Sequence, residues 1–347
     1  MRLSGLVCLV SACVAASCTG SRRDCEVCLY DVSIESGTRQ AVTGARVAYD
    51  LFIPRPAADL PVPPFPAVVL THGFARDRTF HRNNALYMAQ RGIAVLTPDM
   101  LSLLGGAASQ SANIAILSDH VQWLTERSTA AGDRLAGILD ARRIGLAGHS
   151  AGGAVSFEAA VKTQEGPASV AAVCLLDAVP WDRTLDQAVD LRPMPLASIR
   201  SEPGPWNLNG RVLDLLNRLT FNVEEVRVVG STHCDPENPT DMLGQLACGP
   251  STEERRALYQ RLMYLFFRDA LKAHRLAQDG ETYAHALQRL QATGLISRSA
   301  DRPFRATSAS EPVRAAPASD PPPARPENSV RGLEGDGYQR ALSATTR

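Results

Sequence analysis

The sequence carries no excess of charge of either sign. Lys plus Arg and Asp plus Glu each number 36 among 347 residues, so the formal net charge is zero. A balanced chain has no bulk field to draw nucleic acid, and aromatics at 5% offer few platforms for stacking bases. Internal repeats are absent. Metal-binding spacing is absent too: Cys25 and Cys28 form a single CxxC, with no second CxxC or spaced His pair. Zinc is therefore not expected, and without a thioredoxin-like βαβ setting neither is a redox role. What remains is 45% hydrophobic and 21% charged, a soluble globular composition long enough for one large catalytic domain with extensions.

The first residues read as an export signal. Arg2 precedes an apolar stretch, Leu3 to Ala16, that is too short to span a bilayer but suits a secretory segment. Small residues then run into Cys18, as in a bacterial lipobox, with Ala15 where Leu is usual. Lipidation at Cys18 and simple cleavage both stay open, and Cys13 is a second candidate. Residues 1–24 are thus expected to be leader and linker, in a protein anchored in the cell envelope or secreted. An oxidising compartment permits disulfides. Cys234 and Cys248 are the best pair, closing a short loop beside His233 at a gain of roughly 2–4 kcal/mol. Cys174, inside an apolar strand, is expected to be a buried free thiol.

From about 45 to 275, apolar runs alternate with helical stretches. That pattern predicts an α/β fold, a mostly parallel sheet with helices on both faces. Strands are expected at 46–53, 66–71, 93–97, 143–147, 170–176, 195–200 and 226–229. Helices are expected at 83–91, 111–126 and 151–162, with a long one at 252–278. The catalytic domain is bounded at 25–296. Beyond 297 the chain turns rich in Ala, Pro, Ser and Arg and is expected to be disordered.

Gly148-His149-Ser150-Ala151-Gly152 lies between an expected strand and helix, the setting in which G-x-S-x-G presents a nucleophile. The sharp turn needs small neighbours, and the helix N-terminus favours developing negative charge. Ser150 is therefore the expected nucleophile. Thr71-His72-Gly73-Phe74 ends an earlier strand, and the backbone N–H groups of Phe74 and Ala151 are the expected oxyanion donors. The base should be a His after the last strand. His233 fits, since His72 and His149 belong to the two motifs, His81 and His120 come too early, and His274 and His285 too late. For the acid, Asp177 leads because it emerges from an apolar run where an unpaired carboxylate is costly. Glu202 and Asp182 are alternatives, while Asp235 reads as a turn residue.

These motifs resemble the α/β-hydrolase superfamily, over about Ala45 to Leu276. The likeness is to the serine esterase and lipase branch: dienelactone-hydrolase-like enzymes, chlorophyllases, platelet-activating-factor acetylhydrolases and bacterial polyester hydrolases. Leu176-Asp177-Ala178-Val179 is similar to the chlorophyllase and acetylhydrolase pattern for the triad acid. Polyester hydrolases carry theirs one strand later, and the chain departs from them there. Val179-Pro180-Trp181-Asp182 nonetheless looks like their aromatic substrate clamp, with Phe74 as the opposite wall, while plain packing at a loop is an equal reading for Trp181. Trp181, Phe74 and Trp206 together suggest an apolar acyl or alcohol site. The resemblance implies a serine hydrolase cleaving small or lipid-like carboxylic esters through an acyl-enzyme, with no metal or organic cofactor. A peptidase or acyltransferase on the same scaffold, or a non-catalytic envelope binding protein, are the other readings.

Overall fold

A computed structural model describes residues 29–298, except 59, 102–105, 167 and 277–279. The leader, Cys18, the Cys25–Cys28 pair and all but the first two residues of the 297–347 tail lie outside the described residues.

Seventeen labelled elements position the site. β1 (Val32–Gln40) and β2 (Arg46–Pro54) form an antiparallel ribbon; β3 (Phe65–Thr71), α1 (Arg82–Ala89) and β4 (Ala94–Pro98) follow. Next come α2 (Gly106–Thr129), β5 (Leu139–His149), α3 (Ala151–Thr163), β6 (Ala172–Leu176), α4 (Asp182–Asp186) and β7 (Leu196–Arg200). The last are α5 (Val212–Arg218), β8 (Glu224–Val228), α6 (Met242–Cys248), α7 (Glu253–Ala270), α8 (Tyr283–Ala292) and β9 (Ile296–Ser297).

The strands make one nine-stranded sheet in the order β1-β2-β4-β3-β5-β6-β7-β8-β9. The six from β4 to β8 run parallel, and β1, β2 and β9 pair antiparallel at the two edges. Central strands are apolar on both faces because helices cover both: every residue of β3, β4, β6 and β7 is buried. One core packs α2 and α3 against the sheet through Ile114, Leu117, Val121, Val155 and Phe157. The other packs α1, α7 and α8 through Met88, Leu262, Met263, Phe267 and Leu287. Gly145 of β5 makes the second contact possible, since a Cβ there would sit 2.5 Å from the Phe267 ring.

The seven expected strands are present; β9 and the short helices α4, α5 and α6 add to them, and three further differences have local causes. β1 carries a half-buried alternation of mostly small or polar residues, too weak an apolar signal to read as a strand. The long C-terminal helix stops at Ala270 instead of near 278. The backbone turns left-handed at Lys272 (φ 52), and Ala273 N–H bonds back to Arg268 O at 2.8 Å. α8 then supplies a separate amphipathic helix whose Tyr283, Ala286, Leu287 and Leu290 are buried at helical spacing. No helix among the described residues is long and apolar enough to cross a membrane.

Candidate active site

β5 delivers Ser150 to the top of the sheet and α3 carries the chain away. The turn between them forces Ser150 to φ 56, ψ −124, a region that residues with a Cβ avoid. Three backbone bonds hold it there: Ser150 N–H to Leu176 O at 3.1 Å, and Gly153 N–H and Val179 N–H to Ser150 O at 3.0 Å each. The turn closes only because its flanks lack side chains. A Cβ on Gly148 would lie 2.2 Å from Gly152 O, and one on Gly152 would lie 2.3 Å from His72 O. Both obstacles are backbone and cannot swing aside. Gly148→Ala is therefore expected to destabilise the fold by at least about 2 kcal/mol, read from the midpoint of urea unfolding. An unchanged midpoint would show that the elbow can relax.

His233 follows β8 and turns back over Ser150. Its Nε2 lies 2.9 Å from Ser150 Oγ, and its Nδ1 lies 2.6 Å from Asp177 Oδ2. Asp177, at the end of β6 with φ 43, is fully buried. Its carboxylate is encircled by donors: Ser201 N–H on Oδ1 at 2.9 Å, Ser201 Oγ on Oδ2 at 2.6 Å, and Asn207 Nδ2 between both oxygens at 3.2–3.3 Å. Burial opposes ionisation, but the bonds from His233 and Ser201 outweigh it and hold the carboxyl below the ordinary aspartate range. Asn207 is itself fixed, because its Oδ1 accepts the N–H groups of Gly204 and Gly210 at 2.9 and 3.0 Å.

The structure thus brings together Ser150, His233 and Asp177. Glu202 and Asp182 are elsewhere. Glu202 is half-exposed, binding Arg227 at 3.0 Å and Gly230 N–H at 2.9 Å. Asp182 starts α4 and pairs with Arg211 at the surface. Asp235 caps the turn that carries His233, accepting from Thr232 N–H at 2.7 Å and Ser251 Oγ at 2.6 Å. Cys234 and Cys248 are joined as a disulfide, and Cys174 is a buried thiol whose ionisation burial suppresses.

Sequence reasoning gave no chemical role to three histidines around Ser150. His72 donates Nδ1–H to Gly73 O at 2.9 Å and accepts Met100 N–H on Nε2 at 2.9 Å, which sets the shape of the loop before Phe74. His149 donates Nε2–H to His233 O at 2.7 Å, tying the His233 loop to the elbow. His81 packs edge-on to His149, with ring centroids 6.2 Å apart. Burial lowers the pKa of all three, His81 to about 3 and His149 well below the usual histidine value. Burial thus disfavours the charged form of each ring, and the ring centre of His149 lies 4.8 Å from that of His233. Among the described residues no group of three His, Cys, Asp or Glu is arranged to hold a metal ion.

Gly73 packs directly on Ser150, since a Cβ there would be 3.1 Å from Ser150 Cβ. Ala151 begins α3, and its amide is among those a helix start leaves without an internal partner. Ser150 and His233 open onto a cavity of about 460 Å³ whose walls include Phe74, Trp206, Leu243 and Leu246. Trp181, expected in this wall, does not line it. The chain enters α4 straight after β6, and Trp181 packs against the core that covers α2 and α3. Trp206 takes the wall position, its Nε1–H bonded to Ala247 O at 2.5 Å. A larger groove of about 690 Å³ lies away from Ser150, between α7, α8 and the end of β8, with Arg261 and Arg289 both paired to Glu281.

Comparison with solved structures finds a ferulic acid esterase from Streptomyces cinnamoneus. It is 17% identical at TM-score 0.55, over 80% of this chain and 97% of that one. A dienelactone hydrolase from Anabaena variabilis is also 17% identical, at TM-score 0.50 over 69% of this chain and 98% of that one. At such identities the likeness is one of fold. No curated protein matches the sequence. A family model described as the alpha/beta hydrolase family matches residues 68–337, more than half of the chain. A parallel sheet that lifts a serine on a strand-to-helix turn, with that match across it, makes this chain a member of the alpha/beta hydrolase family.

Proposed function

We propose that the protein is a serine hydrolase that cleaves carboxylic esters through an acyl-enzyme intermediate. The observation that carries this reading is the position of His233, within hydrogen-bond reach of Ser150 Oγ on one side and Asp177 on the other. His233 accepts the Ser150 proton as Oγ attacks the carbonyl carbon, and Asp177 stabilises the imidazolium that forms. The N–H groups of Phe74 and Ala151 take up the oxyanion. His233 then protonates the leaving alkoxide and activates water to release the acid. An ester is favoured over an amide because the solved structures of like fold are, by name, an esterase and a dienelactone hydrolase. A disulfide at Cys234–Cys248 supports an oxidising compartment, in keeping with export and a lipid anchor at Cys18.

A fluorophosphonate probe tests the reading, since it reacts only with an activated serine. Peptide mapping is expected to find a single adduct, on Ser150, and unfolding the protein before exposure is expected to abolish labelling. An unlabelled native protein, or an adduct on another serine, would remove the proposal.

A further inference from the structure

The wall facing Ser150 contains an anomaly. Nine large hydrophobic side chains stand exposed among the described residues, and three of them fall within the seven residues of α6: Met242, Leu243 and Leu246, each 71–82% exposed. Such a cluster on a short surface helix marks a contact site more often than an accident of packing.

α6 is not a loose flap. Asp241 caps its start by accepting Gly244 N–H at 2.6 Å, and Cys248 at its end is bonded to Cys234, the neighbour of His233. Its inner side lies against Arg76, which pairs with buried Glu237 at 2.7 Å; a Cβ on Gly244 would meet Arg76 at 2.5 Å. The Trp206 bond to Ala247 O holds the last turn. Leu243, Leu246 and Ala247, at helical spacing i, i+3, i+4, all line the cavity that contains Ser150, whereas Met242 does not. A fixed apolar wall that shares one cavity with the nucleophile has one natural occupant, the apolar part of the substrate. The cavity, about 460 Å³, falls within the ordinary range for sites that enclose a small ligand.

We propose that Leu243, Leu246 and Trp206 form the subsite for an extended apolar group next to the scissile carbonyl, so that the enzyme selects esters with long apolar chains over acetates. The inference rests on the hydrolase reading and deepens it. Each methylene seated on this wall leaves water, and acetates have none to seat there.

The test compares kcat/KM of wild type, Leu243→Ser/Leu246→Ser and Met242→Ser on two ester series. One lengthens the acyl chain of p-nitrophenyl esters from acetate to octanoate; the other lengthens the alcohol of alkyl acetates. Concentrations stay below those at which the esters aggregate. Wild type is expected to prefer the long member of one series. The double variant is expected to lose that preference at least tenfold, and Met242→Ser to keep it. Equal losses in all variants, or a double variant with unaltered preference, would overturn the subsite. As a check independent of folding, alkylboronic acids should inhibit wild type more strongly as the chain grows, and a flat series counts against the proposal. A wild type that hydrolyses short esters without chain preference refutes the subsite alone. One inert on every ester refutes the hydrolase reading and the subsite with it.

Discussion

Ser150→Ala is expected to lower kcat on a p-nitrophenyl ester about 10⁶-fold. The size follows from the way the residues act as a unit. His233 Nε2 has one partner positioned to give it a proton, Ser150 Oγ at 2.9 Å, and without that hydroxyl the bound ester meets only water. Stability should change little. The hydroxyl makes no capping bond to α3, and the strained φ of 56 is imposed by the backbone bonds of the turn, which alanine keeps. The measurement is therefore paired: initial rates beside a thermal midpoint. A loss below tenfold with the fold intact would mean that another group does the chemistry.

Asp177→Asn is expected to lower kcat about 10⁴-fold. An amide has one oxygen and one NH₂ where the carboxylate has two acceptors. The oxygen can satisfy Ser201, but the NH₂ then faces His233 Nδ1 and forces it to accept. The ring switches tautomer, Nε2 carries the hydrogen towards Ser150, and the base can no longer take a proton. The substitution also leaves donors from Ser201 and Asn207 underused in a fully buried site, at a cost of about 1–3 kcal/mol. The pH dependence has a definite sign. The folded protein holds this carboxyl below the range of an unfolded chain, so the stability it adds is complete above that range and fades as pH falls through the folded value. The gap in unfolding free energy between wild type and Asp177→Asn should thus narrow on acidification below about pH 4. A gap constant with pH, or a kcat within tenfold of wild type, would rule out the ionised acid.

The core of this site was legible because its constraints are local. Gly148 and Gly152 sit beside the residue they make room for, and the β5–α3 transition is marked by an apolar run that ends in the glycine-flanked serine. Asp177 was legible for a related reason: a carboxylate closing the apolar run of β6 needs a partner. Asn207 and Ser201 were not legible, because what they hold lies 30 and 24 residues back in the chain. Pro205-Trp206-Asn207-Leu208-Asn209-Gly210 announces a turn, yet nothing in it says that the Asn207 amide faces Asp177. Of the two readings open for Trp181, packing against the core is the one observed and the clamp wall is not. A likeness to a clamp segment says which residues occur, whereas the short connection from β6 to α4 decides which way the ring points. α6 is only seven residues long, and the meaning of its apolar side chains arises from the cavity they border.

His233 and Ser150 are 83 residues apart in the chain, yet His149, adjacent to Ser150, grips the carbonyl of His233. The same loop is gripped again through Asp235 and the Cys234 sulfur. Such a segment has no cheap way to swing out by itself. Parting His233 from Ser150 therefore requires several of these contacts to break together, and slow hydrogen exchange at the amides of this loop is the expected result.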